Sequence, residues 1–250
     1  MGILPGALVK FRAESRYGDS VNGRTGQILP ANLDGLMPLT KSLDDNIGIT
    51  VTNLNYTQFL SDHIGLTVGK YDTLDGDPNE FEGGRGLSQF MNLNFVLSAP
   101  LALIVPYSTL GFGVIVIPNK HLTISSLVLN TADSSTSTGF HDIDDGSTWT
   151  TEAQLQYRLG TLPGGANLGF AYAFDNNFAK INCRFSFGRG EGLSASKKDE
   201  SWAVYMSAWQ YLYTEGKVSG LVDLANGQPD YQGIGLFTRL AFADKRHQRR

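Results

Sequence analysis

Trp149-Thr150-Thr151-Glu152-Ala153-Gln154-Leu155-Gln156-Tyr157-Arg158-Leu159 alternates without a break. Trp149, Thr151, Ala153, Leu155, Tyr157 and Leu159 share one parity, and Thr150, Glu152, Gln154, Gln156 and Arg158 the other. An extended chain sends successive side chains to opposite faces, so the segment is a ribbon with one largely apolar and one polar side. A helix would scatter the same residues around its circumference. Val9–Tyr17 repeats the pattern, with Val9, Phe11, Ala13, Ser15 and Tyr17 opposed to Lys10, Arg12, Glu14 and Arg16.

Weaker alternation runs through Ile47–Phe59, Ile64–Tyr71, Phe90–Leu97, Leu110–Ile117, Leu122–Asn130, Leu168–Phe174, Ile181–Phe187, Ser201–Tyr213 and Ile234–Phe242. The total is roughly eleven strands of about 8–13 residues, longer than the ~5–6 of ordinary soluble sheets and near the ~9–11 that a tilted strand needs to cross a bilayer. Turn chemistry marks Leu60–His63, Pro118–Lys120, Pro163–Ala166 and Asp175–Asn177. Longer polar connections are expected at Gly18–Asn46, Thr73–Gln89, Thr131–Thr148, Gly188–Glu200 and Thr214–Gln232. No helix, repeat or domain boundary is expected, and the chain reads as all-β.

Composition narrows the class further. The chain has 250 residues, 29 of them Gly, with charged residues at 18% and a net charge of −4. That balance argues against nucleic acid as a partner, since phosphate-driven binding needs basic stripes. A single cysteine, Cys183, excludes a disulfide framework, and His63, His121, His141 and His247 lack ligand spacing. No cofactor or metal is expected. The longest apolar run, near Ala99–Val105, falls far short of the ~18–20 residues of a spanning helix. Met1–Val9 has neither the basic start nor the apolar stretch of a signal peptide.

Alternation alone fits both a soluble β-sandwich and a membrane β-barrel. Strand length favours the barrel, as do Tyr17, Tyr56, Tyr71, Trp149, Trp202 and Tyr213 near strand ends and the charge on the polar faces. Trp202–Tyr213 is apolar on both faces, which leaves its orientation open.

The stretch Gly69-Lys70-Tyr71-Asp72-Thr73-Leu74-Asp75-Gly76-Asp77-Pro78-Asn79-Glu80-Phe81, continuing through Glu82-Gly83-Gly84-Arg85-Gly86 and Gln89-Phe90-Met91-Asn92, resembles the OprB-type family of carbohydrate-selective porins. Pro106–Gly111, Gly139-Phe140 with Asp144-Asp145-Gly146, Ser201–Tyr205 with Gln210–Tyr213, and Gly235–Arg239 look like later blocks in the same order. The resemblance implies an antiparallel outer-membrane barrel of about sixteen strands with a narrowed pore for sugars. Residues 1–250 would form a single barrel domain lacking both ends, since family members carry a signal peptide and finish on a membrane strand.

On this reading Thr73–Gln89 is a constriction loop folded into the lumen. Asp72, Asp75, Asp77, Glu80 and Glu82 supply acceptors for sugar hydroxyls, Arg85 a planar fork of donors, Phe81 and Phe90 rings to stack on C–H faces, and Asn92 an amide. The competing reading has the same charges pin the loop to the wall. Lys10, Arg12, Glu14, Arg16, Glu152, Arg158, Arg184 and Arg239 line the lumen, with interleaved signs suited to neutral solutes. Asp72–Glu82 is not a calcium loop, because Tyr71 and Thr73 stand where the first carboxylates belong. Cys183 is in phase with Ile181, Phe185 and Phe187 and reads as a small apolar residue. The expected function is passive diffusion of saccharides through an outer-membrane pore, with lipid and permeating sugars as its partners and no enzymatic chemistry. The alternatives are a soluble carbohydrate-binding sandwich and a β-rich glycoside hydrolase.

Overall fold

The structure is a computed structural model and describes residues 5–16, 47–82, 89–90, 93–102, 104–174, 178–180, 185–188, 192–195, 197–215, 232–244 and 247–248. Nine strands form one antiparallel sheet: β1 (Ala7–Arg16), β2 (Ile47–Ser61), β3 (Ile64–Asp72), β4 (Ser108–Asn119), β5 (Leu122–Asn130), β6 (Ser147–Leu159), β7 (Leu162–Phe174), β8 (Ser201–Thr214) and β9 (Gly233–Ala243). Each pairs with its neighbours in chain order, so the sheet is a meander with β1 and β9 at its two ends. Those ends do not pair with each other, and the sheet is open. No helix among the described residues is long and apolar enough to cross a membrane.

One face of this sheet is apolar and uncovered. Phe11, Leu54, Leu66, Val68, Phe112, Val114, Leu168, Met206, Leu240 and Phe242 all stand exposed along it, Phe112 at 60% and Leu168 at 58%. A water-soluble sheet would bury this face and solvate the other. Here the buried face is the polar one, carrying Asn53, Asn55, Thr57, Thr67, Glu152, Asn167 and Ser207. This inside-out arrangement is what a strand in hydrocarbon requires. Near one rim of the outer face, Trp149, Tyr172 and Trp202 are cross-strand partners on adjacent strands, as an interfacial aromatic girdle requires. Leu60–His63, Asn119–Leu122 and Leu159–Leu162 close tight turns at the opposite rim.

Five sequence expectations change. Phe90–Leu97 is not a strand: Leu93–Val96 is a short helix, α1, followed by α2 at Ala99–Ala102. Its alternation is overridden because the consecutive residues Val96, Leu97 and Ser98 are all buried, which a strand with one polar face cannot provide. Pro163–Ala166 is not a turn but lies inside β7, the turn being at Gly160 and Thr161. Its glycines make room for rings, since a Cβ on Gly165 would come within 2.5 Å of the Trp209 indole. Tyr71 joins no girdle; its hydroxyl lies 2.7 Å from that of Thr67, on the polar face. Phe185–Gly188 pairs with Gly192–Ala195 in a separate ribbon, and Ile181 to Arg184, with Cys183, lie outside the described residues. The main sheet therefore has nine strands rather than eleven. In β8 the open orientation resolves: Ala203, Tyr205, Ser207, Trp209 and Tyr211 are buried on the polar face, with Trp202, Met206 and Leu212 outside.

An arginine at the lipid-facing midplane of a barrel costs roughly 2–4 kcal/mol. Leu168→Arg, at the middle of β7, is expected to lower unfolding stability in lipid by about that amount. Gln154→Arg, on the buried face of neighbouring β6, should cost clearly less. Equal losses in urea titrations would contradict the assignment of the two faces.

Candidate functional site

The described residues of the connection from Asp72 to Ser108 fold back across the polar face of the sheet. Its apolar residues Leu74, Val96, Leu97, Leu101, Ile104 and Val105 pack against Leu129, Ala171, Ala173, Ala203 and Tyr205. The alanines on the wall leave the space that the two short helices fill. Thr148 Oγ1 donates to the Ile104 carbonyl at 2.9 Å, and the Thr73 amide donates to the Tyr107 carbonyl at 2.9 Å, closing the base of the connection.

Two sets of charges then fix its first ten residues. At the β1 end, Lys10 Nζ lies 2.6 Å from Asp75, and Arg12 Nη1 is 2.9 Å from Asp75 and 3.1 Å from Asp72. Asn53 Nδ2 donates to Asp75 at 3.3 Å. Asp72 also caps the turn that follows, accepting from the Leu74 amide at 3.2 Å. Only two residues further on, the chain is held from the other end of the sheet. Arg239 Nε of β9 lies 3.2 Å from Asp77 and 3.0 Å from Glu82, both of whose side chains are fully buried. Ser207 Oγ donates to Asp77 at 3.1 Å, and Arg239 Nη2 donates to the Asp77 carbonyl at 3.2 Å. Glu152 accepts from the Asp77 amide and from the Tyr205 hydroxyl, both at 2.9 Å, and from Gln154 Nε2 at 2.6 Å. Asn167 Nδ2 donates to the Pro78 carbonyl. Two residues of extended chain span at most about 7 Å, so the sheet must curl until its first and last strands both reach the loop.

Beyond Asn79 the contacts become aromatic. Tyr211 donates to Glu80 at 2.9 Å, and the Phe81 ring lies 4.8 Å from Tyr211, 6.2 Å from Phe237 and 6.5 Å from Trp209. Glu14 accepts from the Tyr107 hydroxyl, tying β1 to the end of the connection. Arg158 lies on the polar parity of β6 near the tight-turn rim. Arg16 ends β1, while Arg85, Asn92 and Arg184 lie outside the described residues. Sequence reasoning missed Asn53, Asn167, Tyr205, Ser207 and Tyr211, the wall groups that receive the loop. Ser207 among alternating rings in β8 was the available signal.

The two anchors differ electrostatically. Burial alone would raise the Asp75 carboxyl, but the neighbouring Lys10 and Arg12 charges reverse this and hold it below its ordinary value. Burial raises Asp77 to about 6, with Arg239 opposing and Glu152 adding to the shift. It raises Glu80 to about 7 against the Tyr211 hydrogen bond. Glu82 also rises to about 7 through burial, opposed by Arg239 and reinforced by Asp77.

Between the loop and the β5–β6 wall remains a cavity of about 190 Å³. Tyr71, Asp75, Ser125, Thr150, Glu152 and Gln154 give it polar groups, and Leu101, Val105, Leu127 and Leu129 an aliphatic lining. Asp75, at 22% side-chain exposure, keeps contact with open space. Planar amides and carboxylates beside a tyrosine ring suit polyhydroxyl solutes, whose hydroxyls need both donors and acceptors.

The family model for carbohydrate-selective porins of the OprB family matches residues 1–249. The chain belongs to that family. No curated protein sequence matches it. Among solved structures it is similar to one described as the high-pH structure of Pseudomonas putida OprB, with a TM-score of 0.69 and 15% identity. The similarity covers 97% of this chain and 56% of that one, so the chain spans little more than half the length of that porin. At this identity the likeness concerns the fold, and the fold is that of a porin barrel wall.

An acid whose docked value exceeds its free value keeps a proton that the free loop has lost. For Asp77, Glu80 and Glu82 the cost of docking is absent below the ordinary carboxylate range near ~4 and is complete above about 7. Asp75 behaves oppositely: its contribution is present above the ordinary range and is lost as pH falls through its lowered value. Hydrogen exchange of the Leu74–Phe81 amides, corrected for intrinsic rates, is therefore expected to speed up between pH 5 and pH 8. The combined Asp77→Asn, Glu80→Gln and Glu82→Gln variant should flatten that rise. A rate independent of pH in the wild type would contradict the docked geometry.

Proposed function

We propose that the protein forms part of the wall of an outer-membrane pore and passes carbohydrates by passive diffusion, with the inward-folded connection narrowing the path. The observation that carries this reading is the inverted sheet: apolar residues face outward, polar residues face inward, and a long connection is tied across the polar side by Asp75 and Asp77. Family membership supplies the solute class. The lipid-facing band makes membrane lipid the outer partner, and the tight-turn rim is the periplasmic one, because barrels of this kind keep short turns there.

The gap beside Asp75 is the passage. A sugar entering it exchanges hydration for Gln154, Thr150, Ser125 and the Asp75 carboxylate, and binding at such a site must stay weak enough for release. The buried carboxylates Asp72 and Asp77 act differently, setting the width of the gap rather than touching the solute. No bond is made or broken and no energy is coupled, so the protein works as a channel and not as an enzyme.

Proteoliposome swelling tests this. Neutral sugars should enter at rates that fall with size and need no ion gradient. Asp75→Ala, which removes the tie to Lys10 and Arg12, should raise the entry of larger saccharides more than that of small ones. Loss of all swelling activity in Asp75→Ala, with the barrel folded, would overturn the assignment of the connection as a constriction.

A further inference from the structure

The polar face of the sheet carries one feature that the passage beside Asp75 does not use. Phe90 and Phe95 stand 48% and 39% exposed on the inner side, whereas the other exposed rings among the described residues belong to the outer face or to the rims. Their rings lie 5.2 Å from each other and 5.6 and 5.8 Å from Phe237 of β9. A shelf of aromatic rings left uncovered inside a polar surface costs hydration free energy unless something covers it.

The shelf borders a cavity of about 390 Å³ lined by Glu82, Phe95, Ser98, Pro100, Phe237 and Arg239, together with Thr238 and Ala241. That volume falls within the roughly 300–1,000 Å³ of small-molecule sites. Two buried polar atoms on its lining, Glu82 Oε2 and Ser98 Oγ, have no hydrogen-bond partner among the described residues. Buried polar atoms in native structures are nearly always paired, so a pair of orphans on one cavity calls for a polar occupant. Rings for one face, and a carboxylate, a hydroxyl and a guanidinium for the edge, together select a ligand with a flat C–H face and a rim of hydroxyls.

We infer that Phe90, Phe95 and Phe237, with Glu82, Ser98 and Arg239 at their edge, form a second saccharide station that stacks a neutral pyranose ring, separate from the gap beside Asp75. The inference rests on the channel reading above and adds a place where the solute pauses. Glu82 and Asp77 share Arg239, so carboxylates surround the guanidinium and a uronic acid is disfavoured there.

The test uses the protein reconstituted in planar bilayers, with glucose as a ring solute and mannitol as an open-chain polyol lacking a flat face. Glucose should interrupt the ion current of the wild type, and glucuronate should do so less. Phe90→Leu and Phe95→Leu, chosen because both rings are exposed, should each weaken glucose block by about threefold to tenfold, the scale of one aromatic contact. Open-channel conductance and the response to mannitol should be unchanged. Glu82→Gln, which keeps size and removes charge, should narrow the difference between glucose and glucuronate. If glucose block is unchanged in both phenylalanine variants but falls in Gln154→Leu, the shelf is not a station and the channel reading stands. If glucose neither blocks nor permeates the wild type, the channel reading itself fails.

Discussion

Arg239 meets Asp77 and Glu82 on the inner face of β9, and the course of the chain from Asp72 to Glu82 depends on that meeting. Removing one partner of a buried ion pair typically costs ~3–5 kcal/mol, because the other is left charged and unpaired. The pair is not alone. Glu152 holds the Asp77 amide, and Ser207 and Asn167 hold its carboxylate and the following carbonyl, so the loop backbone is bound as firmly as its charges. Released from these contacts, the connection would expose Leu74, Val96, Leu97 and Leu101 to water.

The opposite anchor follows different physics. Lys10 and Arg12, which face Asp72 and Asp75, are partly exposed, so solvent and salt weaken this tie. One end of the loop is thus pinned by burial and the other by accessible charge. Acid loosens the second and alkali the first, which leaves the loop best held at intermediate pH.

Much of the wall was legible in the sequence. Trp149–Leu159 gave both faces of β6, because a strand with apolar surroundings on one side and polar groups on the other obeys strict alternation. The signal fails where that asymmetry fails. In β8 the inner face carries Tyr205, Trp209 and Tyr211, whose rings read as apolar while the tyrosine hydroxyls serve Glu152 and Glu80. Phe90–Leu97 alternates like a strand, yet Leu93–Val96 is helical, with Val96 and Leu97 buried against the inner face of the wall. The inward course expected for Thr73–Gln89 came from the family resemblance, and the landing place of Asp72–Glu82 was not legible. Asp77 finds Glu152 and Arg239 at separations of 75 and 162 residues, and no local pattern encodes such a meeting.

The central claim is that Asp77 and Arg239 hold the connection against the wall, and a double-mutant cycle measures that directly. Asp77→Asn, Arg239→Gln and the combined variant, unfolded in detergent micelles, give the coupling between the two side chains. Residues in one buried network couple by about 0.5–3 kcal/mol, so the double variant is expected to lose less stability than the sum of the singles by an amount in that range. Strict additivity would mean that the two side chains do not meet in the folded protein, and the loop would then have to be placed elsewhere.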